Sequence, residues 1–211
     1  MNSMAIIKNL SIAAVGTVFL TLGAGKAAQA AVINFDSLSP AEVVDNQYVD
    51  VGVDFNGNAS VLSIGAGLND PSFPPASGRN VVYNDPVLTS SSDIRVDAVG
   101  LLWQSVGAYI TGNDSVTLTA YTSDDSIVGT ASTGGANYVG ATTGLLPNIF
   151  LSITAPDIAY VTFTDEKTGN SYTLDDFTYE AVPEPLTVGG SLVALGFGWL
   201  MKKKIASSQR S

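Results

Sequence analysis

The residues in this chain that can do chemistry are carboxylates. Nineteen Asp and Glu stand against nine Lys and Arg in 211 residues, and Cys and His are both absent. Without Cys there is no thiolate nucleophile, no disulfide and no Cys-ligated zinc or iron–sulfur centre. Without His there is no Ser-His-Asp triad and no His-ligated metal. What remains is a set of hard oxygen ligands, suited to Ca2+ or Mg2+. Eighteen of the acids fall in 31–182, where Arg79, Arg95 and Lys167 are the only cations, so that stretch carries a formal charge of −15. Such a surface repels phosphate polymers, which excludes nucleic acid as a partner, and it attracts cations. With 45% hydrophobic and 13% charged residues, the chain is not an acidic disordered protein.

Carboxylate catalysis of glycoside hydrolysis needs two acids at a set separation, one of them with a raised pKa. Asp124-Asp125 and Asp165-Glu166 are adjacent, but both sit in expected hairpin turns facing solvent. No catalytic pair is nominated, and the chain reads as a non-enzyme. Asp175-Asp176 is different, because neighbours on a strand point to opposite faces and one acid should then face inward. Asp54-Phe55-Asn56-Gly57-Asn58 matches only fragments of an EF-hand loop. For sugar recognition, Tyr83, Tyr109, Tyr121 and Tyr138 offer rings near strand ends or loops, while Trp103 is assigned to the core. Arg79 and Arg95 read as salt-bridge partners of the many acids. Thr117-x-Thr119 resembles one repeat of an ice-matching Thr array, too short for a flat lattice.

The elements that must position these residues are short strands. Ala31–Phe35, Val51–Phe55, Val61–Ile64, Val81–Tyr83, Ile94–Trp103, Val116–Tyr121, Ile127–Ala131, Ile149–Ile153, Ile158–Thr164 and Tyr172–Tyr179 are apolar, β-branched or alternating runs. Turn clusters rich in Asn, Asp, Gly and Pro separate them, and a short helix is admitted near Pro40–Val44. This pattern predicts an all-β, antiparallel β-sandwich of jelly-roll type. The stretch from Gly65 to Asn80, with Pro71, Pro74 and Pro75, is expected to be a long binding loop.

Both ends read as addresses. Lys8, an apolar run Leu10–Leu22 and the small-x-small site Ala28-Gln29-Ala30 make a signal peptide over 1–30, cleaved after Ala30 by signal peptidase following general secretion. The mature domain is then 31–181. Over 182–211 come Val182-Pro183-Glu184-Pro185, an uncharged expected transmembrane helix at 186–201, and the basic stop Lys202-Lys203-Lys204. Its 16 residues reach about 24 Å as a helix, shorter than a typical spanning segment. The paired prolines fix φ and hold an extended, readable segment outside the membrane.

The three-part tail, in this order behind a signal peptide, resembles the PEP-CTERM sorting signal, and its Pro-Glu-Pro-Leu-Thr wording is similar to cyanobacterial examples. The resemblance implies recognition of Pro183, Glu184 and Pro185 by an exosortase. It also implies a transient membrane anchor, and a final place at the cell surface or in the extracellular matrix of a Gram-negative bacterium. The opening Ile33-Asn34-Phe35-Asp36 and the ending Tyr172-Thr-Leu-Asp175-Asp176-Phe177 resemble PEP-CTERM cargo domains, which are similar to galactose-binding-like jelly rolls. That likeness implies a structural Ca2+ joining the first and last strands, with Asp36, Asp175 and Asp176 as ligands; no other cofactor is expected. The expected role is binding or organising exopolysaccharide. A purely structural or adhesive matrix protein and a carboxylate-dependent carbohydrate-active enzyme are the alternatives.

Overall fold

Alternation along the strands decides the architecture. In Val116–Tyr121, Val116, Leu118 and Ala120 are buried while Thr117, Thr119 and Tyr121 are half-exposed, as a pleated strand with one wet face requires. The computed structural model describes residues 30–85, 87, 93–167 and 172–182, all within one unit, Lys26–Pro185. Ala28, Pro183, Glu184, Pro185, the 186–201 segment and Lys202, Lys203 and Lys204 lie outside the described residues. Among the described residues no helix is long and apolar enough to cross a membrane.

The chain is all-β, an antiparallel β-sandwich. Its strands are β1 (Ala31–Ile33), β2 (Val43–Val44), β3 (Val53–Asp54), β4 (Ala59–Ile64), β5 (Gly67–Leu68), β6 (Asn80–Tyr83) and β7 (Ile94–Ala98), followed by β8 (Trp103–Gly112), β9 (Val116–Tyr121), β10 (Ile127–Ser132), β11 (Ile149–Ile158), β12 (Tyr160–Asp165) and β13 (Tyr172–Ala181). One sheet runs β11-β8-β13-β6-β4-β2, with β1 on β13 and β5 on β4; the other runs β10-β9-β12-β7-β3. All pairings between these strands are antiparallel except β4 with β5.

Several sequence-based boundaries shift. The expected strand Ile94–Trp103 is two strands, because Gly100 at φ +82° breaks it and Trp103 opens β8 instead of closing β7. Gly107 hides the length of β8 from propensity. It is required there because a Cβ would come within 2.7 Å of both the Leu151 carbonyl and the Phe150 ring. The admitted helix near Pro40–Val44 is a turn followed by β2, and the only helical turn among the described residues is the 3-10 turn Val49–Val51. The expected long loop from Gly65 contains the short strand β5.

The core between the sheets is aromatic. Phe177 lies edge-on to Phe55 at 5.6 Å, Trp103 at 5.7 Å and Phe163 at 6.5 Å, and Phe55 meets Phe35 at 5.4 Å. Trp103 is fully buried, as expected. With no disulfide available, this packing and the ladders hold the sheets. Tyr172 adds a polar rivet. Its hydroxyl, on β13 of one sheet, donates to the Phe163 carbonyl at 2.6 Å and accepts from the Ile94 amide at 3.0 Å in the other. Tyr172→Phe removes both of these buried hydrogen bonds and should cost about 1–3 kcal/mol of unfolding free energy, read from urea denaturation.

Candidate functional site

The site is organised by one irregularity in β13. Asp176 has φ +48°, and the register against β8 slips between Asp175 and Thr178. A β-bulge of this kind inserts one residue and re-aims its neighbours. Leu174 and Phe177 therefore both enter the core, and neither carboxylate does. One of the two acids is buried and partnered, as expected, but Asp175 is buried under the Ala76–Ser77 segment instead of among the core rings.

All three nominated acids converge on one short segment, Ala76–Asn80. Asp175, 1% exposed, accepts from the Ala76 and Ser77 amides at 2.8 and 2.9 Å through Oδ2, and from the Asp176 amide at 2.8 Å through Oδ1. Asp176 accepts from the Ser77 hydroxyl at 2.7 Å. Asp36 accepts from the Arg79 and Asn80 amides at 2.8 and 3.1 Å. Between these anchors Gly78 takes φ +53°, and a Cβ there would fall onto the Asp36 carboxylate. The sequence nominates Asp36, Asp175 and Asp176 as calcium ligands. The structure directs N–H and O–H donors at the oxygens named above, and among the described residues no three acidic side chains form a group able to hold a metal ion. In this arrangement the three residues clamp a loop.

The clamped loop lies against a second one. The Pro74 carbonyl accepts from Asn148 Nδ2 at 3.1 Å and the Ser72 carbonyl from the Val139 amide at 2.9 Å. Phe73 and Tyr138 stack at 6.0 Å with their planes 13° apart. Asn137, fully buried, ties the second loop to the end of β8 by accepting from the Gly112 amide at 2.7 Å and donating to the Ile110 carbonyl at 2.6 Å. On the adjoining outer face, Tyr109 of β8 is paired in register with Phe150 of β11 on one side and with Asp175 of β13 on the other. The Tyr109 and Phe150 rings are 4.9 Å apart, and Phe150 is 45% exposed. Beside the clamp, a groove of about 610 Å3 is lined by residues that include Asp36, Leu38, Ile64, Gly65 and Arg79.

The four nominated tyrosines therefore do not form one platform. Tyr109 and Tyr138 serve the loop-covered face. Tyr83 has its hydroxyl engaged by Asp85, and burial first, then that carboxylate, pushes it up to about 12. Tyr121 stacks on Tyr160 at 4.6 Å on the opposite sheet, where Arg95 lies 3.7 Å over the Tyr160 ring and pairs with Asp97 at 2.7 Å. Phe73 and Phe150 were not foreseen. The signal available for Phe150 was its place in an alternating run, Ile149-Phe150-Leu151, whose even member had to face out. Asp165 was expected to face solvent and is 6% exposed at the end of β12, whereas Asp124 is exposed and held low by the Thr122 hydroxyl. Thr117-x-Thr119 grows in three dimensions. Register sets Thr162, Thr164, Thr130 and Ser132 beside it on one face, although sheet twist of about 20–25° per strand prevents a flat lattice.

No family model matches this chain, and no curated protein matches it. Solved structures do resemble it. The K2 cleaved adhesin domain of Lys-gingipain is 19% identical with TM-score 0.42, covering 72% of this chain and 99% of that one. A DUF4465 family protein from Bacteroides caccae is 11% identical with TM-score 0.43, covering 74% and 100%. TmCBM61 in complex with beta-1,4-galactotriose is 15% identical with TM-score 0.37, covering 72% and 94%. Each is a likeness of fold.

Burial, ahead of the repulsion from Asp176, pushes the Asp175 carboxyl up to about 6. A carboxyl raised above its unfolded value of roughly 3.9 favours the fold when protonated. Its contribution is full below that value and is lost as pH rises through about 6. Carboxyl-carbon NMR should give Asp175 a midpoint near 6, and Asp175→Asn should flatten the stability change between that midpoint and the unfolded value.

Proposed function

We propose that this chain is exported, sorted by an exosortase through its C-terminal tail, and acts as a non-enzymatic, polysaccharide-binding domain at the cell surface or in the extracellular matrix. The observation that carries the binding part is the exposed Phe150 ring, paired across strands with Tyr109 at 4.9 Å beside two mutually braced loops. A large ring left open to water on a rigid sheet is a ready surface for the C–H face of a sugar, and nearby polar groups supply hydroxyl contacts. The domain's −15 charge favours a neutral polymer over an acidic one. The sorting part rests on the order of Val182-Pro183-Glu184-Pro185, the apolar run and Lys202–Lys204 behind a signal peptide. Val182, the residue after β13, donates its amide to the Leu102 carbonyl at 2.8 Å.

Co-sedimentation of the full chain with the host's own exopolysaccharide tests the binding reading. Saturable binding is expected, weakened roughly three- to tenfold by Phe150→Ala or Tyr109→Ala; no binding by the unaltered chain sinks it and favours a structural matrix protein. The sorting reading has its own measurement. Pro183→Ala with Pro185→Ala should leave an unprocessed, membrane-bound form on immunoblots of fractionated cells, and unchanged processing rules it out.

A further inference from the structure

The three cations of this domain are not used alike. Arg95 pairs with Asp97 and Lys167 with Asp114, yet among the described residues Arg79 makes no ion pair, in a domain of charge −15. Its guanidinium has five N–H donors; one nitrogen, Nη2, donates to the Ile64 carbonyl at 3.0 Å, its one side-chain hydrogen bond among the described residues. Arg79 is exposed and lines the groove of about 610 Å3. Asp36 faces the same groove. Its Oδ1 holds the Arg79 and Asn80 amides, while Oδ2 accepts no hydrogen bond among the described residues. A forked donor and a free carboxylate oxygen in one groove suit neighbouring hydroxyls of one ligand.

We propose that this groove holds a single neutral sugar unit, with Arg79 donating to one hydroxyl and the Asp36 carboxylate accepting from another. The inference rests on the polysaccharide-binding reading and gives it a second, ring-free subsite. Leu38, Pro40 and Ile64 offer apolar contact for the sugar's C–H groups. Gly65, at φ +77°, has nothing within 4 Å of where a side chain would begin, which leaves the approach open. The groove is rigid for a stated reason. Asn80, 6% exposed, donates to the Phe35 and Leu38 carbonyls at 3.0 and 2.9 Å and accepts from the Ser63 hydroxyl at 2.5 Å, so its walls are tied to one another. One cation beside one anion, inside an acidic domain, selects a neutral unit over a uronate. With no aromatic ring in the lining, the single-unit affinity is weak, and a polymer gains from engaging groove and aromatic face together.

The test is amide NMR of the isotope-labelled full chain in detergent, titrated with D-galactose, D-glucose, D-xylose and D-glucuronate. Saturable shifts at Ile64–Ala66 and Gly78–Asn80 are expected with at least one neutral sugar, and not with glucuronate. Arg79→Ala should weaken that binding roughly tenfold or more, with β9 amides unmoved as the control for folding. Asp36→Asn, which keeps an acceptor for the loop amides, should weaken it as well. No shift at these amides with any neutral sugar, tighter binding of glucuronate, or undiminished binding by Arg79→Ala overturns the proposal. If Arg79→Ala binds a neutral sugar undiminished and Phe150→Ala still loses co-sedimentation, the groove fails and the polysaccharide reading stands; if the unaltered chain does not co-sediment yet its groove amides shift, the reverse holds.

Discussion

The bulge at Asp176 is the constraint on which the rest of this structure depends. An uninterrupted strand would send one of two consecutive carboxylates into an aromatic core, where an unpaired charge is untenable. One extra residue at φ +48° lets β13 deliver Phe177 to the meeting point of the core rings and Asp175 to the loop on the outside. Core and loop are thus set by the same few residues.

That arrangement explains how a chain of many carboxylates builds order without cysteine. Asp36, Asp175 and Asp176 accept hydrogen bonds from donors along one loop, so carboxyl oxygens organise a Pro-rich segment that has little secondary structure of its own. The loop then braces its neighbour through Pro74 with Asn148 and Phe73 with Tyr138. The two faces of the sandwich differ accordingly. One is covered by interlocked loops beside an open aromatic pair and a polar groove. Among the described residues the other carries Thr hydroxyls and the Tyr121–Tyr160–Arg95 stack.

An exposed ring, a rigid groove and an acidic exterior are the surface features on which the proposed binding role rests. The fold itself does not choose between binding and catalysis, because one sandwich hosts both.

The sequence by itself determined the fold class, the buried Trp103 and the acidic character of the domain. These follow from period-two alternation and composition, which are local or additive. The expected address signals at the two ends are likewise a reading of residue order along the chain, and apart from Ala30 and Val182 they lie outside the described residues. Tertiary structure alone decided what the acids do. Asp36 and Asp175 are far apart in sequence and reach one five-residue loop only because β1 and β6 pack against the same edge of β13. It likewise decided that, among the described residues, Arg95 has a carboxylate partner and Arg79 makes no ion pair. It extended one Thr pair to four more hydroxyls through strand register. Register and bulges are set by long-range pairing and by the balance of packing around each residue, and a linear reading of propensities contains neither.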